Sequence, residues 1–378
     1  MPSSHKNVVT RYSQEDAPPV HTVRLRRSVT TRAVAAATVA AGLLTAQAAT
    51  GHAAPNPSVP APEIPSAVTT VSSGWNIPWG LSWLPDGSAL ISERDSFQIF
   101  RLTPSGVKTK VGTVPHTVNS KPESGLRSIA VSPDWSNDHS IYVYHATAEG
   151  NRIARMTYDG STLSGYRTLV TGIKKGGKNG GRIKFGPDGY LYATTGDAWT
   201  PGDAQDKKSL NGKILRMTTD GEPAPGNPFG TLVYSYGHRN PQGLAWDEEG
   251  RLWETEIGEH AYDEVNLIEP GKNYGWPTCE GACSVAGMTN PKHQWRPAEA
   301  VPSGLTYADG ALYVAALRGQ RLWRIPIDGT SLGTPDAHYV NTYGRLRLAE
   351  KVPGRDKLWV TTDKAGKDAD RVLQVDLG

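Results

Sequence analysis

The stretch Gly80–Glu93, with the sequence GLSWLPDGSALISE, contains the pattern that decides the fold. A short apolar strand runs into a Pro-Asp-Gly turn, and the chain returns as a second apolar strand that ends in a polar residue. A tight turn between two such runs is typical of a β-hairpin. The same unit recurs along the chain in hairpins that begin at Ser128, Arg182, Gly243, Gly304 and Arg347. The chain is therefore built on six copies of one hairpin.

The turn aspartates give the period of this repeat, and they are Asp86, Asp134, Asp188, Asp247, Asp309 and Asp356. Successive turn aspartates lie 48, 54, 59, 62 and 47 residues apart. Propeller blades repeat every ~40–50 residues as four-stranded sheets, and the longer spacings leave room for two more strands and their loops. Third strands are predicted in Arg94–Leu102, Ile153–Met156, Lys213–Met217 and Gln320–Ile325. The sequence predicts an all-β fold, a six-bladed β-propeller of four-stranded antiparallel sheets, because a sandwich has no reason to keep this period.

Composition agrees with this fold and excludes other classes of protein. The 378 residues include 41 Gly and 28 Pro, and each of these costs roughly 1 to 3 kcal/mol inside a helix, which argues against a helix bundle. The chain has 11 Trp and 15 Tyr against 4 Phe, and such amphipathic rings suit half-exposed strands. A formal charge of +3 is too weak for binding through charge alone, so no nucleic-acid partner is expected.

The first 66 residues are predicted to lie outside the propeller. Arginines between Arg24 and Arg32 precede an apolar run, Ala33–Ala49, and small residues follow it. This order is typical of a secretory signal peptide, here residues 1–53, and the run is too short for a stable membrane span. Five prolines mark residues 54–66 as an extended linker, which leaves residues 67–378 for the propeller. The protein is therefore expected to be secreted.

The chain has two cysteines, Cys279 and Cys283. Export to an oxidising compartment favours a disulfide between them, and two free thiols are the alternative. A bridge across so short a loop would brace the neighbouring Trp276-Pro277 locally rather than tie distant parts of the fold together.

Hairpin geometry predicts where polar residues gather. Because a tight turn sends the second strand back antiparallel, the six turns lie on one face of the disc and the strand ends on the other. Around the channel mouth on that second face we expect Trp79, Glu93, Arg94, Glu123, His145, Arg182, Asp197, Arg239, Asn240, Glu256, Ser303, Arg318, Arg345, Arg347 and Asp363. Salt bridges between blades and capped strand ends would use similar residues. The arginines on one rim favour instead a ligand with several negative charges, which guanidinium groups hold well.

Several longer motifs occur in a fixed order along the predicted propeller. They are Asn179–Ile183 (NGGRI), Gly186–Tyr192 (GPDGYLY), Thr195–Asp197 (TGD), Ser209–Arg216 (SLNGKILR), Gly237–Gly243 (GHRNPQG), Asp263–Asn266 (DEVN) and Asn273–Pro277 (NYGWP). Together they resemble the soluble quinoprotein glucose/sorbosone dehydrogenases, whose six-bladed propeller binds pyrroloquinoline quinone (PQQ) and calcium. The resemblance implies a sugar or similar alcohol as substrate and an external electron acceptor. Dimers occur in that family, so a homodimer is an open expectation.

The resemblance also implies roles for single residues. Arg345 and Arg347 would hold PQQ carboxylates, and Arg239 with Asn240 would cover and orient the ring. Glu123 stands where the family usually has a glutamine that contacts the sugar and the cofactor.

The implied calcium ligands are the backbone carbonyls of Gly258 and Glu259, together with PQQ itself. A calcium ion takes hard oxygen ligands and would polarise the quinone carbonyl that accepts hydride. Propeller lactonases and phosphotriesterases form the rival enzyme class, because they hold calcium in the channel with side-chain oxygens. The carboxylates that could imitate such a site are Glu93, Asp197, Glu256 and Asp363.

The catalytic position departs from the family pattern. The family's catalytic base is a histidine immediately before Asn-Gly-Gly-Arg, and here that residue is Lys178. An ammonium ion has no lone pair for a hydroxyl proton, so Lys178 would act as a base only if burial, Arg182 and calcium removed its proton. The predicted catalytic residues are Lys178, Arg182 and Asp197. Three interpretations stay open: a dehydrogenase that uses Lys178 or another base, such as Asp197 or His238; a propeller that binds without oxidising; or a different reaction at the same rim.

Overall fold

Strands dominate the computed structural model, which describes residues 68–119, 123–364 and 368–377. Within these ranges the helical segments are α1 (Trp135–Asp138) and a 3-10 turn (Pro201–Ala204). None of the described helices has the length and apolar character that crossing a membrane requires. The predicted signal peptide, residues 1–53, and the predicted linker, residues 54–66, lie outside the described residues.

The strands form six antiparallel sheets, preceded in the chain by strand β1 (Val68–Trp75). The first sheet contains β2 (Pro78–Trp83), β3 (Ala89–Glu93), β4 (Gln98–Leu102) and β5 (Lys108–Thr113). The second contains β6 (Leu126–Val131), β7 (Ser140–Ala146), β8 (Asn151–Tyr158) and β9 (Leu163–Ile173). The third contains β10 (Gly180–Phe185), β11 (Leu191–Thr195), β12 (Lys213–Met217) and β13 (Val233–Tyr236). The fourth contains β14 (Pro241–Trp246), β15 (Leu252–Glu256), β16 (Asp263–Ile268) and β17 (His293–Trp295). The fifth contains β18 (Pro302–Ala308), β19 (Ala311–Ala316), β20 (Arg321–Asp328), β21 (Ser331–Leu332) and β22 (Asp336–His338). The sixth contains β23 (Leu346–Lys351), β24 (Lys357–Thr362) and β25 (Asp370–Asp376), and β1 completes it.

The six sheets stand as blades around a central channel. Their innermost strands are β2, β6, β10, β14, β18 and β23, and each contacts the next, with β23 contacting β2 to close the ring. These strands and their hairpin partners are the two halves of the six repeat units. The prediction of an all-β, six-bladed β-propeller is therefore confirmed.

The sixth blade takes its outer strand from the other end of the described chain. Strand β1 pairs antiparallel with β25, from Val68 opposite Val375 to Trp75 opposite Asp370. Backbone hydrogen bonds between these two segments close the ring. They give the sixth blade a fourth strand, which covers the edge of β25. The repeat pattern alone did not predict this pairing.

The fifth blade departs from four strands because its outer position is split. The C-terminal end of β20 pairs with β21, with Ile327 opposite Leu332, and its N-terminal half pairs with β22, with Leu322 opposite His338. Gly333 and Pro335 lie between the two outer strands. Proline cannot donate a ladder hydrogen bond and glycine weakens a strand, so the outer strand breaks there.

Apolar side chains pack between neighbouring blades. One cluster joins Leu90 of the first blade to Ile129 of the second. Trp75, Trp253 and Trp359 are at most 2% exposed and lie in clusters that draw on two adjoining sheets. Strand β1, which carries Trp75, is half exposed as expected, whereas β15 and β24, which carry Trp253 and Trp359, are buried almost throughout.

Candidate functional site

A β-bulge interrupts each innermost strand near its start. The register shifts fall between Pro78 and Gly80, Leu126 and Ile129, Gly180 and Ile183, Pro241 and Gly243, Pro302 and Leu305, and Leu346 and Leu348. A bulge leaves residues without a cross-strand partner and re-aims their side chains. The residues inside the six bulges include Trp79, Arg127, Arg182, Gln242, Ser303 and Arg347. The same local distortion therefore delivers one of these residues from every blade to the channel.

The indole ring of Trp79 is the centre of this set. The guanidinium carbons of Arg182, Arg127 and Arg347 lie 4.1, 5.5 and 5.8 Å from its ring centroid. The face of an indole attracts cations, and the attraction is stronger where water is excluded. Trp79 is 1% exposed, so it holds three positive charges together at the axis of the propeller.

Arg182 does not reach the mouth where the sequence placed it. Its guanidinium donates from Nε to the carbonyl of Gln242 at 3.1 Å and from Nη1 to the carbonyl of Trp79 at 3.2 Å. It lines a different cavity, with Lys184 and Glu350. Burial lowers the pKa of Arg182 to about 9. The bulge turns this side chain away from the mouth cavity, so the geometry gives no support to its predicted catalytic role.

An open cavity of about 580 Å³ lies at the channel mouth, and we call it the mouth cavity. Its wall consists of Trp79, Arg94, Glu123, Arg127, Lys178, Gln242, Ile257, Val301, Leu317, Arg345 and Arg347. Six of the residues predicted for the mouth or the site therefore meet here, namely Trp79, Arg94, Glu123, Lys178, Arg345 and Arg347. Arg127 and Gln242 join them although they were not predicted.

Cations outnumber carboxylates around the mouth cavity. The wall has five cationic side chains and one carboxylate, that of Glu123. Two further carboxylates lie against the cations: Asp95 accepts from Arg94 Nε at 2.7 Å, and Asp363 accepts from Arg347. Burial opposes the ionisation of Asp363, but Arg347 and Arg345 outweigh it and hold its pKa below the ordinary value. The balance leaves an excess of positive charge that favours an anionic ligand.

Glu123 and Lys178 face each other across the wall. Lys178 Nζ lies 3.7 Å from Glu123 Oε1, and Arg127 Nη2 lies 3.6 Å from Glu123 Oε2. The Asn179 side chain fixes this arrangement, because its Nδ2 donates to the Glu123 carbonyl at 2.5 Å. The backbone carbonyl of Lys178 in turn accepts from the N–H of Ala198 at 2.8 Å. The asparagine of the Asn-Gly-Gly-Arg motif thus holds two wall segments in register.

Asp197 and His238, the other proposed bases, lie outside the mouth cavity. Asp197 is 2% exposed, and its oxygens accept from the Trp276 Nε1 and from the backbone N–H of Trp199, both at 2.9 Å. Burial raises the pKa of Asp197. His238 is fully buried, with Nδ1 2.8 Å from Glu256 and Nε2 2.8 Å from Ser235. Each group already has partners on every polar atom.

The residues expected to cover the cofactor and bind calcium form a neighbouring cluster. Arg239 Nη1 donates to the carbonyl of Gly258, and Nη2 lies 3.7 Å from Glu259 Oε1. Asn240 is buried, and its Oδ1 accepts from the backbone N–H of Gly180 at 3.0 Å. A guanidinium and a calcium ion cannot share the Gly258 carbonyl, so metal binding there requires the Arg239 side chain to leave it.

The predicted disulfide between Cys279 and Cys283 is present, and it braces more than its immediate neighbours. Glu280 lies inside the bridged loop, and its Oε1 accepts the backbone N–H groups of the four residues 259–262 at 2.5, 2.7, 2.8 and 3.2 Å. One carboxylate oxygen thus organises the loop that carries Gly258 and Glu259.

The carboxylates that could build a hydrolase-type metal site are tied elsewhere. Glu93 pairs with Lys108 at 2.9 Å, and Glu256 accepts from the backbone N–H of Arg239. Asp197 is held by Trp276 and Trp199, as described above, and Asp363 by Arg347. None of the four lines the mouth cavity among the residues that the structure describes.

Arg127 and Gln242 are the polar wall residues that the sequence did not predict. Gln242 and Arg347 occupy the same position in their blades. Each is the one residue inside the bulge of its innermost strand. Arg127 stands one residue earlier than Arg182 within a two-residue bulge. An alignment of the six units that allowed for the bulges would have found both.

Comparison with known proteins identifies the family. The model of the family described as Glucose / Sorbosone dehydrogenase matches residues 75–372. The chain belongs to the glucose/sorbosone dehydrogenase family. It is a propeller oxidoreductase of the sugar dehydrogenase type, and the resemblance predicted from its motifs is confirmed.

Named relatives agree with the assignment to this family. The PQQ-bound aldose sugar dehydrogenase from Streptomyces coelicolor is 48% identical, with a TM-score of 0.79, over 83% of this chain and 99% of that one. Aldose sugar dehydrogenase YliI from Escherichia coli is 29% identical over 76% of this chain and 87% of its own length. Quinoprotein glucose dehydrogenase B from Acinetobacter calcoaceticus is 34% identical over 56% of this chain and 52% of its own length.

Proposed function

We propose that this family member oxidises aldose sugars or similar alcohols with PQQ and calcium as cofactors, and passes the electrons to an external acceptor. The observation that carries the proposal is the mouth cavity, in which five cationic side chains exceed the carboxylates beside them. PQQ is a flat quinone with three carboxylates, and guanidinium groups suit such an anion. The PQQ-bound state of the relative from Streptomyces coelicolor supports the same cofactor.

Buried donors without partners also fit an acceptor-rich ligand. Arg127 Nε, Arg239 Nε and Asn240 Nδ2 are buried and have no hydrogen-bond partner among the described residues. A buried polar group left unpaired costs about 1–3 kcal/mol, which an acceptor on a ligand would recover. When bound, PQQ supplies a two-electron acceptor. The chain would contribute Arg345 and Arg347 as carboxylate partners.

Calcium belongs to the proposal on narrower grounds. The carbonyls of Gly258 and Glu259 are hard oxygen donors of the kind that calcium takes. The contact between Arg239 and the Gly258 carbonyl is the feature that binding must displace. We expect an anionic cofactor to compete for the Arg239 guanidinium, which would free that carbonyl for the metal.

Export completes the proposal. An arginine-rich start followed by the apolar run Ala33–Ala49 supports a signal peptide in residues 1–53, with residues 54–66 as linker and the propeller from residue 67. The disulfide between Cys279 and Cys283 supports an oxidising compartment. A homodimer remains a prediction for size measurements in solution.

Turnover tests the proposed reaction. Purified protein loaded with PQQ and calcium chloride should reduce an artificial electron acceptor when an aldose is added, and protein treated with a chelator before loading should not. Metal-dependent hydrolysis of an ester or a lactone, without oxidation of any aldose, would contradict the proposal and favour a propeller hydrolase. Retention of PQQ with no turnover of any aldose or alcohol would indicate a binding module.

A further inference from the structure

The mouth cavity offers one proton-accepting side chain. Among the described residues of its wall, Glu123 is the only carboxylate, and no histidine is present. The Glu123 side chain is 32% exposed, so it is open to a substrate and to solvent. The neighbouring carboxylates of Asp95 and Asp363 lie outside the wall and accept hydrogen bonds from Arg94 and Arg347.

The contacts of Glu123 hold the carboxylate in place without consuming it. Lys178 Nζ and Arg127 Nη2 lie 3.7 and 3.6 Å from its two oxygens. Both separations are longer than a hydrogen bond, so the oxygens keep lone pairs for another donor.

The other candidate bases are excluded by their surroundings. Asp197 and His238 are buried, and their polar atoms are engaged by Trp276, Trp199, Glu256 and Ser235. Lys178 lines the cavity but pairs with a carboxylate, and an ammonium group is a donor only.

Resting on the proposed function, we propose that Glu123 is the catalytic base and that Lys178 is the positioning residue that holds it. The substrate O–H bond breaks, and its proton goes to a carboxylate oxygen of Glu123. The C–H bond would break at the same carbon and the carbon–oxygen bond would become a carbonyl. PQQ, when bound, would supply the acceptor for the hydrogen and the two electrons that the substrate loses. Glu123 then releases its proton to the solvent that its exposed edge contacts.

PQQ binding is measured before the rate of aldose oxidation. This order separates a role of Glu123 in binding the cofactor from its role as the base. Glu123→Gln keeps the size of the side chain and removes the base together with one negative charge. In equilibrium dialysis with calcium present, the variant should take up PQQ at least as tightly as the unmodified chain, because the cavity loses an anion. Its kcat with an aldose should fall at least ~100-fold, the usual size of a general-base effect, with KM within threefold.

Lys178 variants test positioning. Lys178→Met should lower kcat about tenfold while PQQ uptake stays measurable, and Lys178→Arg should recover most of the rate because it keeps the cation beside Glu123. Glu149→Gln is the matched control, since that glutamate is 71% exposed and lies outside the cavity wall. It should leave binding and turnover unchanged.

Two results would overturn the assignment of Glu123 alone. One is a Glu123→Gln variant that binds PQQ and keeps more than a third of the kcat of the unmodified chain. The other is a variant that no longer takes up PQQ, since Glu123 would then be a cofactor-binding group. Absence of PQQ uptake by the unmodified chain would instead overturn the proposed function, and the role of Glu123 with it.

Discussion

Buried carboxyl groups in the fourth blade show how strongly the pKa of a single residue depends on its surroundings. Glu254, Glu256 and His238 bring ligand atoms within 4.8 Å of one another in the protein interior. Burial and the nearby Glu256 raise the pKa of Glu264 to about 8 and that of Glu254 well above its ordinary value. Glu254 and Glu264 therefore hold protons at a pH where exposed carboxyls are ionised.

The pH dependence of stability follows from Glu264. The folded protein keeps this proton up to a pH of about 8, whereas the unfolded chain releases it near the ordinary value for glutamate. Because the folded state binds more protons in that window, the free energy of unfolding should fall as pH rises, and Glu264 alone contributes up to about 1.4 kcal/mol per pH unit. Urea unfolding of apo-protein with a chelator at pH 5, 6, 7 and 8 measures this slope. Glu264→Gln should remove this contribution and leave that of Glu254, so the slope should become shallower. The exposed Glu222→Gln should leave the slope unchanged, and equal slopes in all three proteins would count against the assignment.

At the scale of elements, the hairpins were predictable and their distortions were not. The Pro-Asp-Gly turns and the apolar runs on either side gave the inner two strands of all six blades, because these signals are local in sequence. The bulges that turn Arg182 away from the mouth and bring in Arg127 depend on cross-strand register. Likewise, the contact between Arg239 and the Gly258 carbonyl depends on how two loops pack. Such features arise from tertiary contacts that composition and spacing do not encode.

The pairing of β1 with β25 carries a prediction for stability. Trp75 ends β1 and is fully buried, against Phe100 of the first blade at 5.6 Å between ring centroids. Trp75→Ala removes a large buried ring at the junction that closes the propeller and should lower the free energy of unfolding by about 3–5 kcal/mol. Thr69→Ala, at an exposed position of the same strand, should change it by less than about 0.5 kcal/mol. Chemical denaturation of both variants makes the comparison, and similar values for the two would mean that β1 does not stabilise the closed ring.

Across the whole molecule the net charge is small, but positive charge is concentrated at the mouth cavity. The formal charge of the full chain is +3, and residues 1–53 contribute six basic and two acidic residues of that balance. The remainder is close to neutral, yet five cations line one cavity at the end of the channel. Because a low-dielectric wall screens them less than open water does, they attract an anion locally without making the protein generally basic.

Uptake of PQQ by the apo-protein tests this central claim most directly. In equilibrium dialysis at micromolar PQQ with calcium present, we predict one PQQ bound per chain. Arg345→Met, which removes one cation from the wall, should weaken binding at least ~10-fold, as expected for a lost charge-assisted hydrogen bond. Arg355→Met, in a turn on the opposite face, should bind as the unmodified chain does. No uptake, or uptake that Arg345→Met leaves unchanged, would contradict the account.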